Sequence, residues 1–252
     1  MSDLLPSRYT FAQLPDRSGC RRISQQLLLT ALTSFISGYI VLPAVFSLLL
    51  KPGSALAGLG AACGPLLSVT MLLATTRYHS GSFRKTMLIL GFRRFPVKTL
   101  LYGIFIAAAI MITAGGITLI WGTIAELLNW DLGVPPTVEA AMSENIWDVA
   151  ALLVTALAAA PFFEEVFFRR VMFGSLQQLL PVFPAAMLAS LAFSAMHLSL
   201  LQLPGLLLIG WIWQKFYIHT KTLWTSVILH FFNNLIAAVL LLMMRFMDFQ
   251  AV

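Results

Sequence analysis

The chain has 252 residues, of which 59% are apolar and 10% are charged, and it carries a net charge of +6 at neutral pH. A soluble domain has about 25% charged residues, so this composition excludes a water-soluble globule. The basic residues are scattered between apolar stretches and are not gathered in one domain, so we expect no nucleic-acid partner. The composition predicts an all-α polytopic membrane protein. We further expect it to be a multi-pass protein of a cell inner (plasma) membrane.

Seven apolar segments predict about seven transmembrane helices. The predicted organisation is a cytoplasmic tail (1–26), three N-terminal transmembrane helices (27–123) and a catalytic transmembrane core (149–244), all in one integral domain. The second span is rich in Gly and Ala, which favours close helix packing. The spans are predicted at 27–50, 55–75, 99–123, 149–180, 185–201, 206–217 and 223–244.

The basic residues predict how these spans are oriented. With the N-terminus inside the cell, fourteen of the sixteen Lys and Arg residues lie on the cytoplasmic side, as the positive-inside rule expects. The 125–148 loop holds five acidic residues and no basic one, and the same orientation places this loop outside the cell. We therefore predict an N-in, C-out topology.

The fourth apolar segment contains four charged side chains, Glu164, Glu165, Arg169 and Arg170. A charge at the centre of a bilayer costs about 2.5–3.5 kcal/mol on insertion scales, so such residues are rare unless they are paired or functional. Glu165 and Arg169 stand four residues apart, in the order that favours a helical ion pair. Glu164 lies about 100° round the helix from Glu165, so it can interact with a different group.

Two histidines and an asparagine lie in later apolar segments. His197 lies in the fifth, and His230 and Asn234 stand four residues apart on one face of the seventh. At about 1.5 Å per residue, Glu164 and both histidines lie at similar depth in the membrane, which permits them to meet. A carboxylate and a histidine that hold one water suit general-base catalysis, and a histidine and an amide can donate to a developing oxyanion.

Three motifs thus follow one another on successive apolar segments: Glu164-Glu165-x-x-x-Arg169, Phe193-x-x-x-His197 and His230-x-x-x-Asn234. This series resembles the CPBP family, which comprises CAAX prenyl proteases and bacteriocin-processing proteins and is also called the Abi family. The resemblance covers roughly 149–244, and it implies an intramembrane endopeptidase that hydrolyses a peptide bond of a membrane-associated substrate.

The resemblance also implies roles for these side chains. Glu164 and His197 are implied to activate the hydrolytic water, and His230 and Asn234 to form the oxyanion site. The remaining charged pair of the first motif is implied to support them. The family is also labelled as metalloproteases, and Glu164, His197 and His230 could supply three ligands to zinc with an open fourth position. The sequence contains no HExxH motif, and we favour a mechanism that requires no cofactor.

The expected partners are the lipid bilayer and a membrane-associated peptide or protein, either a leader peptide or a lipidated C-terminus. One alternative is a non-proteolytic scaffold, or a bacteriocin-immunity or regulatory protein, that keeps the motifs without turnover. A proton-coupled transporter is a further alternative, because buried Glu, Arg and His also form proton relays. The absence of a second half that mirrors the first disfavours the transporter.

Overall fold

The computed structural model describes residues 28–49 and 55–250. The predicted tail at 1–26 lies outside these residues, as does the connection at 51–54 between the first two predicted spans. All regular elements of the described residues are helices, which confirms the all-α polytopic fold. Three helices are long and apolar enough to cross a membrane by themselves, namely Val97–Leu127, Ile146–Leu176 and Leu223–Met247. The N-in, C-out orientation stays a prediction from the charges.

Nine helical elements follow one another in the described part of the chain. Seven of them occupy the places of the predicted spans, and two short ones, α3 and α5, lie in the connections. They are α1 (28–49), α2 (Ala55–Ser80), α3 (Phe83–Ile89), α4 (Val97–Leu127), α5 (Pro136–Met142), α6 (Ile146–Leu176), α7 (Val182–Met196), α8 (Leu203–Thr220) and α9 (Leu223–Gln250).

Helix α6 is not a uniform α-helix. Its α-helical segment Ala160–Glu165 is flanked by two wider π-helical segments, Thr155–Ala159 and Val166–Met172. Pro161 has no N–H, so the α-helical hydrogen-bond ladder is interrupted where the first wide segment ends. Such π-bulges are rare and are often found at functional sites. In α6 they lie on both sides of the adjacent glutamates.

The fifth span was predicted to continue to Leu201, and this prediction is wrong. Helix α7 ends at Met196, and His197 is its C-terminal capping residue. Leu198 has a φ of 51°, a left-handed conformation that ends the helix. Residues 198–202 turn the chain back, and α8 begins with Pro204 in its first turn. His197 therefore lies at the end of a helix, partly buried, and not within a helix.

Two other boundaries also differ from the predictions. Helix α6 ends at Leu176 and not at Leu180, because residues 177–180 form a turn before Pro181. The acidic 125–148 loop is not wholly irregular, since α5 begins within it at Pro136. Proline is favoured at the first position of a helix, where its missing N–H would have no helical partner.

Helix α6 lies in the interior of the bundle, where it packs against α2, α7 and α9. Four of its five phenylalanines are buried, Phe163 completely, whereas Phe105 and Ile112 on α4 are 72% and 76% exposed. The charged side chains Glu165 and Arg169 are 0% and 1% exposed. The fold thus turns apolar side chains outward, as lipid requires, and encloses its charged cluster in protein.

Candidate active site

Glu165 joins two helices through its two carboxylate oxygens. Oε2 lies 3.1 Å from Nε of Arg169 one turn further along α6, the ion pair that the spacing predicted. Oε1 accepts a hydrogen bond from Nδ1 of His230 on α9 at 2.9 Å. Arg169 also donates from Nη2 to the carbonyl of Gly210 on α8 at 3.3 Å. A buried carboxylate and guanidinium therefore connect α6, α8 and α9.

These bonds fix which nitrogen of His230 remains available. A carboxylate only accepts hydrogen bonds, so Nδ1 carries the proton and, in the neutral ring, Nε2 is an acceptor. The ring is held in place by Trp213, on which it stacks at 4.4 Å. As a neutral ring His230 can accept a hydrogen bond at Nε2, and it can donate there only when it is doubly protonated. The predicted oxyanion role of His230 therefore requires the imidazolium form.

His197 is held in a similar way by its own helix. The backbone N–H groups at the end of α7 bond to Ser194 and Ala195, so the carbonyl of Phe193 lacks its usual helical partner. The imidazole Nδ1 donates to that carbonyl at 2.8 Å and so caps the helix. Because a carbonyl only accepts, Nε2 of a neutral His197 is left as the acceptor nitrogen.

The rings of both histidines contact the ring of Phe193. It packs edge-on against His197 with centroids 4.9 Å apart and against His230 at 6.0 Å. The guanidinium carbon of Arg169 lies 4.5 Å from the centre of the same ring, a cation–π contact. Three of the six predicted site residues therefore surround one buried aromatic side chain.

Glu164 differs from its neighbour Glu165 in having few partners. It is 5% exposed, and its Oε2 accepts no hydrogen bond from the protein. Among the described residues, no hydrogen bond joins Glu164 to either histidine. An unsatisfied buried oxygen is costly and rare, and a catalytic role is one of the accepted explanations for it.

Asn234 forms a contact that the sequence did not predict. Its Nδ2 donates to the carbonyl of Ala156 on α6 at 2.8 Å. Ala156 belongs to the first π-helical segment, where carbonyls are not all used by the helix itself. A side-chain amide has two N–H donors, so this bond leaves one for another acceptor.

Two further side chains belong to this region and were missed. Trp213 is 1% exposed and stacks on His230, although in sequence it resembles a tryptophan at a membrane edge. Tyr39 of α1 stacks on Phe163 at 5.4 Å, and its buried hydroxyl has no protein partner. Tyr39 also lines a cavity of about 570 Å³ between α1, α2, α5 and α6. The first apolar segment contains other hydroxyl side chains, and no sequence feature distinguished Tyr39 from them.

The described residues contain no group of three or more His, Cys, Asp or Glu side chains that could hold a metal ion. Glu164, His197 and His230, considered above as zinc ligands, are thus not assembled as a ligand set. Each histidine donates from Nδ1 to a protein oxygen and keeps Nε2 as an acceptor nitrogen. Metal-bound histidines commonly make the same Nδ1 bond, so these bonds do not distinguish the two mechanisms. The mechanism without a metal stays a prediction.

Comparison with known proteins places this region beside membrane peptidases. A family model described as type II CAAX prenyl endopeptidase Rce1-like matches residues 146–236. A Bacillus subtilis (strain 168) protein named "Putative membrane peptidase YdiL" is 27% identical over 94 residues, which are 37% of this chain and 38% of that protein. The match thus spans well under half of that relative's length. No solved structure matches the chain.

Proposed function

We propose that this chain, which belongs to the CPBP family through residues 146–236, is an intramembrane endopeptidase that hydrolyses a peptide bond of a membrane-associated substrate. The family match supports a membrane peptidase in general. The observation that supports catalysis in this chain is the buried Glu164 carboxylate, whose Oε2 has no protein partner. The histidines that share its bundle interior each keep Nε2 for another group.

In the proposed reaction the Glu164 carboxylate accepts a proton from a water molecule. His197 holds the same water by accepting a hydrogen bond from its second O–H at Nε2. The water oxygen attacks the carbonyl carbon of the scissile bond, so a C–O bond forms and the carbonyl oxygen becomes an oxyanion. Glu164 then gives its proton to the leaving nitrogen as the C–N bond breaks. General-base catalysis of this kind typically contributes about 10²–10⁴-fold in rate.

Asn234 and His230 are proposed to bind the oxyanion. Asn234 keeps one N–H after its bond to Ala156, and a doubly protonated His230 donates from Nε2. Donors of this kind are worth about 2.7–4 kcal/mol of transition-state stabilisation each. The bonds to Ala156 and Glu165 hold both donors in position before the substrate arrives.

Glu165 and Arg169 are proposed to support the site without touching the substrate. Glu165 fixes the tautomer and the direction of His230, as a carboxylate does for the histidine of a hydrolase triad. Arg169 pairs with Glu165 and holds its carboxylate in place. We further propose that the protein resides in a bacterial inner membrane and acts on a leader peptide or a lipidated C-terminus.

The test compares cells that express the wild type, Glu164→Gln or Glu126→Gln at equal membrane abundance. Terminal peptides of membrane proteins are compared by mass spectrometry. Glu126 is an exposed carboxylate at the end of α4, so its variant is the matched control. We expect a cleavage product that is present with the wild type and with Glu126→Gln and absent with Glu164→Gln. Identical peptide profiles in all three strains would instead support the scaffold or immunity alternative.

A further inference from the structure

A basic groove lies at one end of the helix bundle, where α3, residues 92–94 and the turn between α8 and α9 meet. It encloses about 730 Å³. Four cations, Arg84, Arg93, Arg94 and Lys221, line it, and no acidic residue is among its described lining residues. This end of the bundle is the one that the charge distribution predicts to be cytoplasmic. The groove therefore presents concentrated positive charge at a membrane surface.

Backbone contacts between the two connections give the groove fixed walls. The N–H of Leu223 donates to the carbonyl of Gly91 at 3.0 Å, and the N–H of Arg93 donates to Oγ1 of Thr222 at 3.3 Å. Gly91 has a φ of 94° and Lys221 a φ of 56°, so both connections turn sharply at the groove. Glycine is needed at the first of these angles because other residues are strained there.

Apolar side chains accompany the cations. Phe83 and Leu88 line the groove and are 65% and 47% exposed, and Phe95 beside it is 48% exposed. A soluble anion would contact only the cations, and it would not explain the exposed apolar side chains beside them. Exposed aromatic and aliphatic side chains next to cations at a bilayer edge are suited to a ligand with an anionic head and acyl chains.

We propose that this groove binds the phosphate-bearing headgroup of an anionic phospholipid from the cytoplasmic leaflet. The cations contact the phosphate, and the exposed apolar side chains contact the upper part of the acyl chains. The cytoplasmic leaflet contains anionic lipids, which give it a negative surface potential. Ligands of the required charge are therefore present at this surface.

The groove is also in contact with the helix that carries the glutamates. Phe92 on its floor stacks on Phe162 of α6 with ring centroids 4.9 Å apart, two residues before Glu164. Arg170 of α6 donates from Nε to the carbonyl of Ile89, at the end of α3, at 2.6 Å. A lipid bound in the groove thus rests on elements that pack directly against α6.

The test measures lipid binding and does not depend on proteolysis. The full chain in detergent is titrated with phosphatidylglycerol or phosphatidylcholine, and bound lipid is counted by native mass spectrometry. Arg84→Gln/Arg94→Gln is compared with Lys85→Gln/Lys98→Gln, which loses the same charge from the same connection at exposed residues outside the groove lining. Arg84→Lys/Arg94→Lys keeps the charge and serves as a conservative variant.

We expect the wild type to retain phosphatidylglycerol in preference to phosphatidylcholine. The groove variant should bind it about 10- to 30-fold more weakly, while the control and the conservative variant stay within about threefold of the wild type. Equal weakening in the groove variant and the control would overturn the proposal, since it indicates general surface attraction. Complete displacement of the lipid by inorganic phosphate would also overturn it in favour of a soluble anion.

Discussion

Oε1 of Glu165 accepts a hydrogen bond from Nδ1 of His230 at 2.9 Å, although 65 positions separate the two residues in sequence. The other oxygen of the same carboxylate faces Arg169 at 3.1 Å. Its neighbour Glu164 keeps an oxygen without any protein partner. The adjacent glutamates thus have different surroundings: one holds the bundle and a histidine together, and the other is available for a reacting group.

Replacement of Glu165 should cost mainly stability, and replacement of Glu164 mainly activity. Glu165→Gln leaves the fully buried Arg169 without a carboxylate, which typically costs about 3–5 kcal/mol. Glu164→Gln removes a charge that makes no protein hydrogen bond at Oε2, so its unfolding free energy should change by less than about 1 kcal/mol. Denaturant unfolding in detergent micelles measures both values. Equal destabilisation by the two variants would contradict this division.

A double variant separates the contribution of the ion pair to stability from its contribution to catalysis. Glu165→Met/Arg169→Met replaces both charges with apolar side chains of similar length. Because apolar replacements of a buried pair are often neutral, we expect the double variant to be more stable than Glu165→Gln. Proteolysis should remain low, since His230 loses the carboxylate that orients it. Full activity in a stable double variant would show that Glu165 has no positioning role.

His197→Gln should lower kcat with little change in KM. Glutamine has an acceptor oxygen but does not place it where Nε2 of His197 lies, so the variant should no longer hold the hydrolytic water, a loss of about 10²–10⁴-fold in rate. His197 is not proposed to contact the substrate directly, so binding should be retained. Kinetics with the substrate identified through Glu164→Gln provide the measurement. The double variant Glu164→Gln/His197→Gln should be no slower than the slower single variant, because the two residues act on one water.

Asn234→Ala tests whether the amide serves the oxyanion or only the packing of two helices. Loss of the bond to Ala156 should cost about 0.5–1.5 kcal/mol of stability. Loss of the second N–H should lower kcat by about 10²–10³-fold. Asn233→Ala is the control, since Asn233 directly precedes Asn234 in α9 and is the more buried of the two. If Asn234→Ala kept kcat within threefold of the wild type, its role would be confined to packing.

Hydropathy predicted where the helices lie, because every membrane-spanning segment must satisfy its backbone internally and face lipid with apolar side chains. The third span was predicted at 99–123, and the structure has a helix at Val97–Leu127. The end of α7 was not predictable in this way. The sequence remains apolar beyond Met196, and Leu198 takes a left-handed conformation that glycine or asparagine usually marks.

The same distinction applies to the site. The Glu165–Arg169 pair was predictable because its partners stand one helical turn apart. The Glu165–His230 bond and the Trp213–His230 stacking join different helices, and no local spacing encodes them. The sequence therefore predicts His230 as a site residue but does not predict the partners that fix its ring.

Metal chelation should leave proteolysis unchanged. No group of three potential ligands is assembled among the described residues. We expect activity within about twofold of the untreated enzyme after incubation with 1,10-phenanthroline and dialysis, since the proposed proton transfer uses only side chains. Activity that is lost on chelation and restored by stoichiometric zinc would contradict the metal-free mechanism.

The closest backbone approach of α1 and α2 offers a test of the fold outside the family match. A Cβ added to Gly64 would collide with the backbone carbonyl of Gly38, and Ser68 one turn later donates to the carbonyl of Ser34 at 2.7 Å. Small residues allow membrane helices to approach this closely. Gly64→Ala should therefore destabilise the protein by about 1–3 kcal/mol, because backbone atoms must move to accept the methyl group.

Gly115→Ala is the matched control for this contact. Gly115 lies in the middle of α4, and a Cβ there would meet no atom within 4 Å. The substitution should change stability by no more than about 1 kcal/mol, and in the stabilising direction, because alanine favours a helix more than glycine does. Thermal unfolding in the same detergent measures the stability of both variants. If Gly64→Ala proved as stable as Gly115→Ala, α1 and α2 would not be in contact at these glycines.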